Sequence, residues 1–175
     1  MVSRKQSVTS NRRLKHSEFE QLQAAAMKTT NQNVWPVVVL AIETGMRRSE
    51  ILSLNWDIIC FSNKVASLAL TKNGCSRRVP LSPQALAVLS NLKKFGAPAP
   101  IPINDNAFRL AWDRLRSRAG ITDLRFHDLR HEAISRFFEK GLSIAKVASI
   151  SGHKDPRMLF RYTHLDATEI AQKLK

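Results

Sequence analysis

Residues 34–50, VWPVVVLAIETGMRRSE, join an apolar segment to a cluster of polar groups at its end. Residues 34–45 are apolar on almost every side, which predicts a helix inside the core rather than on the surface. Gly45 is typical of the residue that follows a helix, because glycine adopts a left-handed backbone conformation at little cost. Arg47 follows this turn, and Glu50 lies three residues further on, where it can orient the guanidinium group. The stretch therefore predicts a central helix that ends beside an arginine, which alone could also be an ordinary surface charge.

Helix-start residues and apolar positions at helical spacing predict further helices along the chain. Ser17 and Glu20 predict a capping box at the first of them. Two extended runs flank Lys72, Asn73 and Gly74, a pattern typical of a β-hairpin with its tip at these residues. The predicted fold class is α+β, mainly α-helical, with one small antiparallel β-sheet. The remaining helices are predicted at residues 82–96, 104–120, 125–141, 143–153 and from Asp155 onward.

The charge of the chain indicates a polyanionic partner. Lys and Arg number 28 against 14 Asp and Glu, giving a net charge of +14 in 175 residues, the length of one domain. Released counterions drive such a protein onto a phosphate backbone, although a basic surface that is merely solvated stays open. The two cysteines make no disulfide framework, and no apolar run approaches the roughly 18 residues of a membrane span. Residues 1–16 are basic without a signal-peptide core and are expected to form a flexible arm that lies on DNA.

The segment FHDLRHE, residues 126–132, places His127 and His131 one helical turn apart. This spacing resembles that of a zinc hydrolase helix. Arg130 is predicted on the same face, and a guanidinium group keeps its proton and repels a metal ion. Asp128 is shorter than the glutamate of the zinc motif and points off this face. The cluster therefore favours a phosphodiester over zinc, although ordinary core or surface histidines remain an alternative.

Three further residues could complete a site for cleaving a phosphodiester. Lys72 lies at the predicted hairpin tip, His153 follows a glycine after a helix, and Tyr162 is the only tyrosine of the chain. Each alone could be a turn lysine, a surface histidine or a core aromatic residue. Together with the arginines they supply a nucleophile, a fork for the non-bridging oxygens and a proton donor for the leaving oxygen. This set needs no metal ion.

The chain resembles the tyrosine recombinases, the phage integrase family. The family's motifs occur in order as TGMRRSE, TKNGCSRRVPL, HDLRH, SGH and RYTH, over residues 17–173. The one small departure is SGH in place of the usual LGH, which is expected to affect packing rather than chemistry. By this resemblance, the acidic supporting residue is Glu50, and the catalytic residues are Arg47, Lys72, His127, Arg130, His153 and the nucleophile Tyr162.

The resemblance implies a site-specific DNA recombinase or integrase catalytic domain over residues 17–175, without the N-terminal core-binding domain of the family. It implies a 3′-phosphotyrosine at Tyr162, with Lys72 as the general acid and with no cofactor, metal ion or ATP. The implied partner is double-stranded DNA, bound as a homotetramer by a protein that is monomeric when free. An accessory DNA-bending protein is a further implied partner. The implied setting is a phage, prophage or other mobile element, acting in the cytoplasm of a bacterial host or phage-infected cell.

Three alternatives remain open from the sequence. A type IB topoisomerase uses a similar set of residues but rejoins the same strand. A zinc hydrolase would use His127 and His131 as ligands. A DNA-binding module without activity would not need Tyr162.

Overall fold

The computed structural model describes residues 12–69 and 76–163. The predicted fold class is confirmed, because helices make up most of these residues and a small antiparallel sheet lies between them. The α-helices are α1 Glu18–Met27, α2 Val34–Thr44, α3 Arg48–Leu52, α4 Pro83–Lys94, α5 Asp105–Arg118, α6 Phe126–Glu139 and α7 Ile144–Ser151. The strands are β1 Ile59–Cys60, β2 Val65–Leu68 and β3 Arg77–Pro80, and 3₁₀ helices span Trp56–Ile58 and Pro156–Tyr162.

Helix α2 lies in the middle of the core, as its apolar sequence predicted. It is buried along nearly its whole length and packs against α4, α5 and α6. It ends at Gly45, whose φ of +63° belongs to the left-handed region. A Cβ atom at this position would come 3.3 Å from the ring of Phe137 on α6. Gly45 therefore both ends α2 and lets α6 approach its carboxyl end.

The sheet has the strand order β1-β2-β3, with both pairs antiparallel. Val65 pairs with Pro80 and Leu68 with Arg77, so β2 and β3 form the two arms of the predicted hairpin. Its predicted tip, Lys72 to Gly74, falls within residues 70–75 and lies outside the described residues. Strand β3 packs against α7 and so connects the sheet to the elements that carry the candidate site.

The buried apolar side chains form two clusters. The large one extends from Leu22 to Leu129 and includes most of α2. The small one consists of Ile134, Val147 and Leu159, with half-buried aromatic and aliphatic side chains packed around it. Helix α6 contributes to both clusters, whereas α7 and the 3₁₀ helix Pro156–Tyr162 supply the other two buried members of the small one.

The helix starts follow the sequence except at Ser17, and one predicted helix differs in type. The side chains of Ser82, Asn104 and Ser143 accept the backbone N–H bonds expected of N-caps. The capping box at Ser17 is wrong, because Ser17 has a φ of 67° and its side chain makes no cap bond. The helix predicted from Asp155 does begin there, with its carboxylate accepting from Arg157 N, but up to Tyr162 it is a 3₁₀ helix.

Part of the predicted N-terminal arm lies within the described residues. Arg12 forms ion pairs with Glu18 and Asp123. Arg13 donates to Glu132 on α6, with 3.0 Å between its Nε and Oε2. Residues 1–11 lie outside the described residues, so a basic arm over residues 1–16 stays a prediction. Residues 12 and 13 are held against the folded domain by carboxylates that are far away in the sequence.

Among residues 12–69 and 76–163, no helix combines the length and the apolar content needed to cross a membrane.

Glu132→Ala should lower the free energy of unfolding by about 2 kcal/mol, measured by urea denaturation. The carboxylate of Glu132 is buried and accepts from Arg13, Arg136 and the backbone N–H of Leu14, at 2.7–3.2 Å. Its removal leaves Arg136 and the backbone N–H of Leu14 without this acceptor, whereas Arg13 keeps Glu139. Glu139→Ala is the control, because Glu139 is exposed and pairs with Arg13 at the surface; we expect a change within about 0.5 kcal/mol. Equal effects of the two substitutions would show that the buried network contributes nothing.

Candidate functional site

Arg47 lies at the start of α3, just beyond the turn that ends α2. Its backbone N–H donates to Glu50 Oε2 at 2.7 Å, and its guanidinium Nη1 donates to Glu50 Oε1 at 3.1 Å. Glu50 thus reaches back to the residue before the helix, as an acidic residue at this position of a helix commonly does. Arg47 Nη2 also lies 3.4 Å from the carbonyl oxygen of Gly152, after α7. The side chain keeps 34% of its surface exposed, so it can also bind a ligand.

Arg130 projects from the buried face of α6 and is only 4% exposed. Its guanidinium group donates to the carbonyl oxygen of Gly45 and, at 2.7 Å, to that of Ser151. Burial, followed by the nearby Arg47, lowers the pKa of Arg130 to about 10, which still leaves it charged at neutral pH. The prediction that Arg130 shares one helix face with His127 and His131 is therefore only partly right. The side chain of Arg130 turns into the protein, toward the ends of two other helices.

Glu50 has a second and closer partner in Arg77 on β3. The two guanidinium nitrogens of Arg77 donate to the two carboxylate oxygens at 2.8 and 2.7 Å. Arg77 Nε donates to the carbonyl oxygen of Ile150 at 2.9 Å, so this side chain links β3, α3 and α7. Burial alone would raise the pKa of Glu50, but hydrogen bonds from Arg77 and from the Arg47 backbone lower it to about 2. Glu50 is therefore ionised over the whole physiological range.

Three histidines lie beside these arginines. The rings of His127 and His131 meet edge to face, with centroids 5.0 Å apart. Burial lowers the pKa of both, with further lowering from Arg130 for His127 and from His127 for His131. Burial, then Arg130 and Arg47, lower the pKa of His153 to about 4. These rings are therefore neutral at pH 7 and can accept protons.

Tyr162, at the end of the second 3₁₀ helix, directs its hydroxyl to His131. The hydroxyl is hydrogen bonded to Nδ1 of His131, and the two rings stack with centroids 5.8 Å apart. On its other side, the ring of Tyr162 stacks on Phe138 at 6.4 Å. Burial raises the pKa of Tyr162, while the charges of Arg161 and Arg130 act in the opposite direction. The nucleophile candidate is thus oriented by one histidine and lies within the field of the arginines.

A cavity of about 300 Å³ opens at the start of α3 and α6. Near the cavity, Glu50 supplies one negative charge, whereas the carbonyl groups to which Arg130 donates carry no net charge. The positive charge around the cavity therefore exceeds the negative charge. A partly buried site of this kind attracts an anion and binds it through forked N–H donors. The cavity is lined by Met46, Arg47, Arg48, Ser49, Phe126, His127 and Arg130.

A protein-family model described as the phage integrase family matches residues 12–169. This chain belongs to the phage integrase family. It is 43% identical to the shufflon-specific DNA recombinase of Escherichia coli over 98% of this chain and 45% of that protein. It is 31% identical to the integrase of Salmonella phage P22 over 78% of this chain and 40% of that protein. The chain spans less than half the length of each of these two relatives.

Solved structures of integrases share the fold of this family member. The catalytic domain of bacteriophage HP1 integrase aligns with a TM-score of 0.74 at 23% identity, over 93% of this chain and 92% of that one. The Tn1549 transposon integrase in complex with circular intermediate DNA aligns with a TM-score of 0.75 at 16% identity, over 96% of this chain and 67% of that one. The expected resemblance and fold are both confirmed.

In this integrase-family chain, contacts and electrostatic interactions connect six of the seven residues singled out from the sequence: Arg47, Glu50, His127, Arg130, His153 and Tyr162. They come from α3, α6, the turn after α7 and the second 3₁₀ helix. Lys72 lies outside the described residues. The catalytic roles of all seven stay predictions.

Two residues of this integrase-family site were not among the predicted ones. His131 was considered as a zinc ligand and as part of the cluster that favours a phosphodiester, but it was given no catalytic role, yet it is the residue that contacts Tyr162. Arg77 stands beside Arg78 in the sequence. Only the alternation of side chains along β3 distinguishes Arg77, which faces inward, from the exposed Arg78. The serine of SGH was expected to affect packing alone, but the Ser151 hydroxyl lies 2.7 Å from Nδ1 of His153.

The zinc hydrolase alternative is not favoured for this family member. Nδ1 of His131 is bonded to Tyr162. Within the part of the chain that the structure describes, no three His, Cys, Asp or Glu side chains come together as metal ligands.

Arg77→Ala should lower the free energy of unfolding by about 3 kcal/mol, because it leaves the buried carboxylate of Glu50 with only one of its two guanidinium partners. The matched control is Arg78→Ala at the exposed neighbouring position; we expect a change within about 0.5 kcal/mol. Urea denaturation of the two variants measures the difference.

The ion pair between Glu50 and Arg77 also predicts that the stability of the protein depends on pH. The folded-state pKa of Glu50 is lowered from 4.5 to about 2, so its contribution is complete above the unfolded value and is lost as pH falls toward 2. This acid-side loss should be smaller in Arg77→Ala. Parallel stability curves for the two proteins between pH 5 and 2 would contradict the assignment of the pKa shift to Arg77.

Proposed function

We propose that this chain is the catalytic domain of a tyrosine-type site-specific DNA recombinase. It cleaves and rejoins DNA through a 3′-phosphotyrosine at Tyr162, without a metal ion or ATP. The observation that carries the proposal is the position of Tyr162, whose hydroxyl is bonded to His131 beside the buried Arg130. A nucleophile, an anion site and neutral bases are together the groups that a phosphodiester transfer requires.

Arg47 and Arg130 bind the non-bridging oxygens of the scissile phosphate. Both retain N–H donors beyond those used on the protein, since a guanidinium group carries five. Their charge opposes the negative charge that develops on these oxygens in the transition state. His127 lines the same cavity and His153 lies within the field of both arginines, so these two rings complete the phosphate site. Glu50 holds Arg47 in place through its buried carboxylate.

In the cleavage step, the hydroxyl oxygen of Tyr162 attacks phosphorus while the bond from phosphorus to the 5′-oxygen breaks. The hydroxyl proton passes to Nδ1 of His131, which is neutral at pH 7 because burial and His127 lower its pKa. The 5′-oxygen leaves with a proton from Lys72, a role that rests on the family resemblance alone. A free 5′-hydroxyl of the partner strand then attacks the phosphotyrosine and releases Tyr162.

Double-stranded DNA is the proposed partner, supported by the net charge of +14. The relative from Escherichia coli is named as a DNA recombinase, and a similar solved structure is a lambda integrase dimer bound to a core site. By resemblance to the family, the protein is proposed to be monomeric when free and to act as a homotetramer on two DNA sites. Its proposed setting is a phage or other mobile element in the host cytoplasm. An accessory DNA-bending protein belongs to this proposal as well.

A nicked suicide substrate tests the proposal, because the cleaved end diffuses away and traps a covalent protein–DNA adduct that a denaturing gel resolves. Tyr162→Phe should abolish this adduct and leave DNA affinity within a few-fold, since phosphate contacts come mainly from Arg and Lys. An adduct formed by the Phe variant would remove Tyr162 from its role. Binding without an adduct by the unaltered protein would favour a DNA-binding module, and relaxation of supercoiled DNA without strand exchange would favour a topoisomerase.

Arg130→Lys and Arg47→Lys should each slow adduct formation by about 10² to 10³, although the charge is kept. An ammonium group cannot reproduce a fork that reaches two oxygens at once. The control is Arg136→Lys on the same helix as Arg130, where the side chain pairs with Glu132 away from the site; we expect a near-native rate. Thermal melts check that the variants are folded, and near-native cleavage by both site variants would contradict the assignment.

A further inference from the structure

Ser151, the last residue of α7, is fully buried and its hydroxyl group has two close partners. Its Oγ lies 2.6 Å from the carbonyl oxygen of Val147 and 2.7 Å from Nδ1 of His153. The hydroxyl has one hydrogen, and a carbonyl oxygen can only accept. Without a proton between them, two oxygens at the first distance would repel each other. Both contacts are favourable only when Ser151 donates to Val147 and Nδ1 of His153 donates to Ser151.

The backbone around Ser151 is fastened on both sides, which fixes the direction of its side chain. Arg130 donates to the carbonyl oxygen of Ser151 at 2.7 Å. Arg77 donates to that of Ile150 at 2.9 Å. A serine in the last turn of a helix commonly bonds the carbonyl four residues earlier, as Ser151 does with Val147. The hydroxyl is therefore held as an acceptor for His153.

We infer that Ser151 is a positioning residue, which keeps a proton on Nδ1 of His153 and leaves the lone pair of the neutral ring on Nε2. A leucine at this position, usual in the family that the chain resembles, has no acceptor for Nδ1. With leucine in place of Ser151, none of the contacts described for His153 would keep the proton on Nδ1, and the neutral ring could carry it on Nε2. The serine thus changes which ring nitrogen of His153 can donate a hydrogen bond to a ligand.

The consequence for DNA cleavage rests on the proposed function. With Nδ1–H bonded to Ser151, Nε2 can donate to a phosphate oxygen only after the ring takes up a second proton. The charged and titratable groups that act on His153 are Arg130, Arg47, His131 and Arg161, and with burial they lower its pKa to about 4. A bound phosphate opposes these cations and raises that pKa, so DNA binding should be accompanied by proton uptake at His153.

The tautomer can be read directly by long-range ¹H–¹⁵N NMR of the DNA-free protein labelled at histidine, with His153 assigned by its loss in His153→Gln. At neutral pH the unaltered protein should show a protonated Nδ1 and a lone pair on Nε2. Ser151→Ala should move the proton to Nε2, Ser151→Thr should keep it on Nδ1, and Ser149→Ala on the exposed side of α7 should change nothing. A protonated Nε2 in the unaltered protein would overturn the inference, whatever the Ser151 variants show.

Adduct formation as a function of pH tests the consequence. In the unaltered protein bound to DNA, the protonated fraction of His153 falls about tenfold for each pH unit above the pKa of this ring. Ser151→Ala can donate from a neutral ring, so its rate should fall less steeply between pH 7 and about 9. Parallel profiles would overturn the role of Ser151 in cleavage. If no adduct forms at any pH while the ring carries its proton on Nδ1, the proposed function fails and the tautomer assignment stands.

Discussion

The guanidinium group of Arg130 connects the carboxyl ends of α2 and α7, and the candidate site depends on this one connection. It donates to the carbonyl oxygens of Gly45 and Ser151, which belong to the helix ends where carbonyl groups lack partners within the helix. The negative end of a helix dipole favours a cation at both places. These interactions offset the cost of burying the charge, which would otherwise be severe.

The charges around Arg130 explain why the site prefers an anion. Arg47 and Arg77 share the carboxylate of Glu50, whereas the direct hydrogen-bond partners of Arg130 are carbonyl groups and the charge of Glu50 acts on it from a distance. The cluster therefore keeps a positive excess inside a partly buried pocket, where screening by water and salt is weak. Burial lowers the pKa of the adjacent histidines, and the same positive excess lowers it further, because adding a proton beside these cations is unfavourable. One arrangement of charges thus provides both an anion site and uncharged bases.

Local patterns in the sequence predicted much of this molecule, and contacts distant in the sequence account for what they did not predict. The apolar segment of α2 and the caps at Ser82 and Ser143 depend on neighbouring residues, so they could be predicted. Ser17 fails as a cap because its backbone is left-handed rather than extended and its hydroxyl donates to the carbonyl oxygen of His16. The inward turn of Arg77 and the bond between His131 and Tyr162 depend on residues that the fold brings together from far apart. Helical periodicity gives the face of a residue but not its partner across the core.

The two apolar clusters differ in size, so we expect the parts of the candidate site that adjoin them to open at different free energies. Arg47 and Glu50 adjoin the large cluster, whereas Tyr162 is anchored by Leu159 in a cluster of three buried side chains. Within the described residues few buried side chains hold this segment, so we expect it to open at a smaller free energy than the whole domain and to exchange its amide hydrogens as a separate unit. Such an opening would carry Tyr162, the proposed nucleophile, out of an anion pocket that itself stays folded. Separation of this kind suits the proposed reaction, in which one phosphate must stay bound while its covalent partner changes.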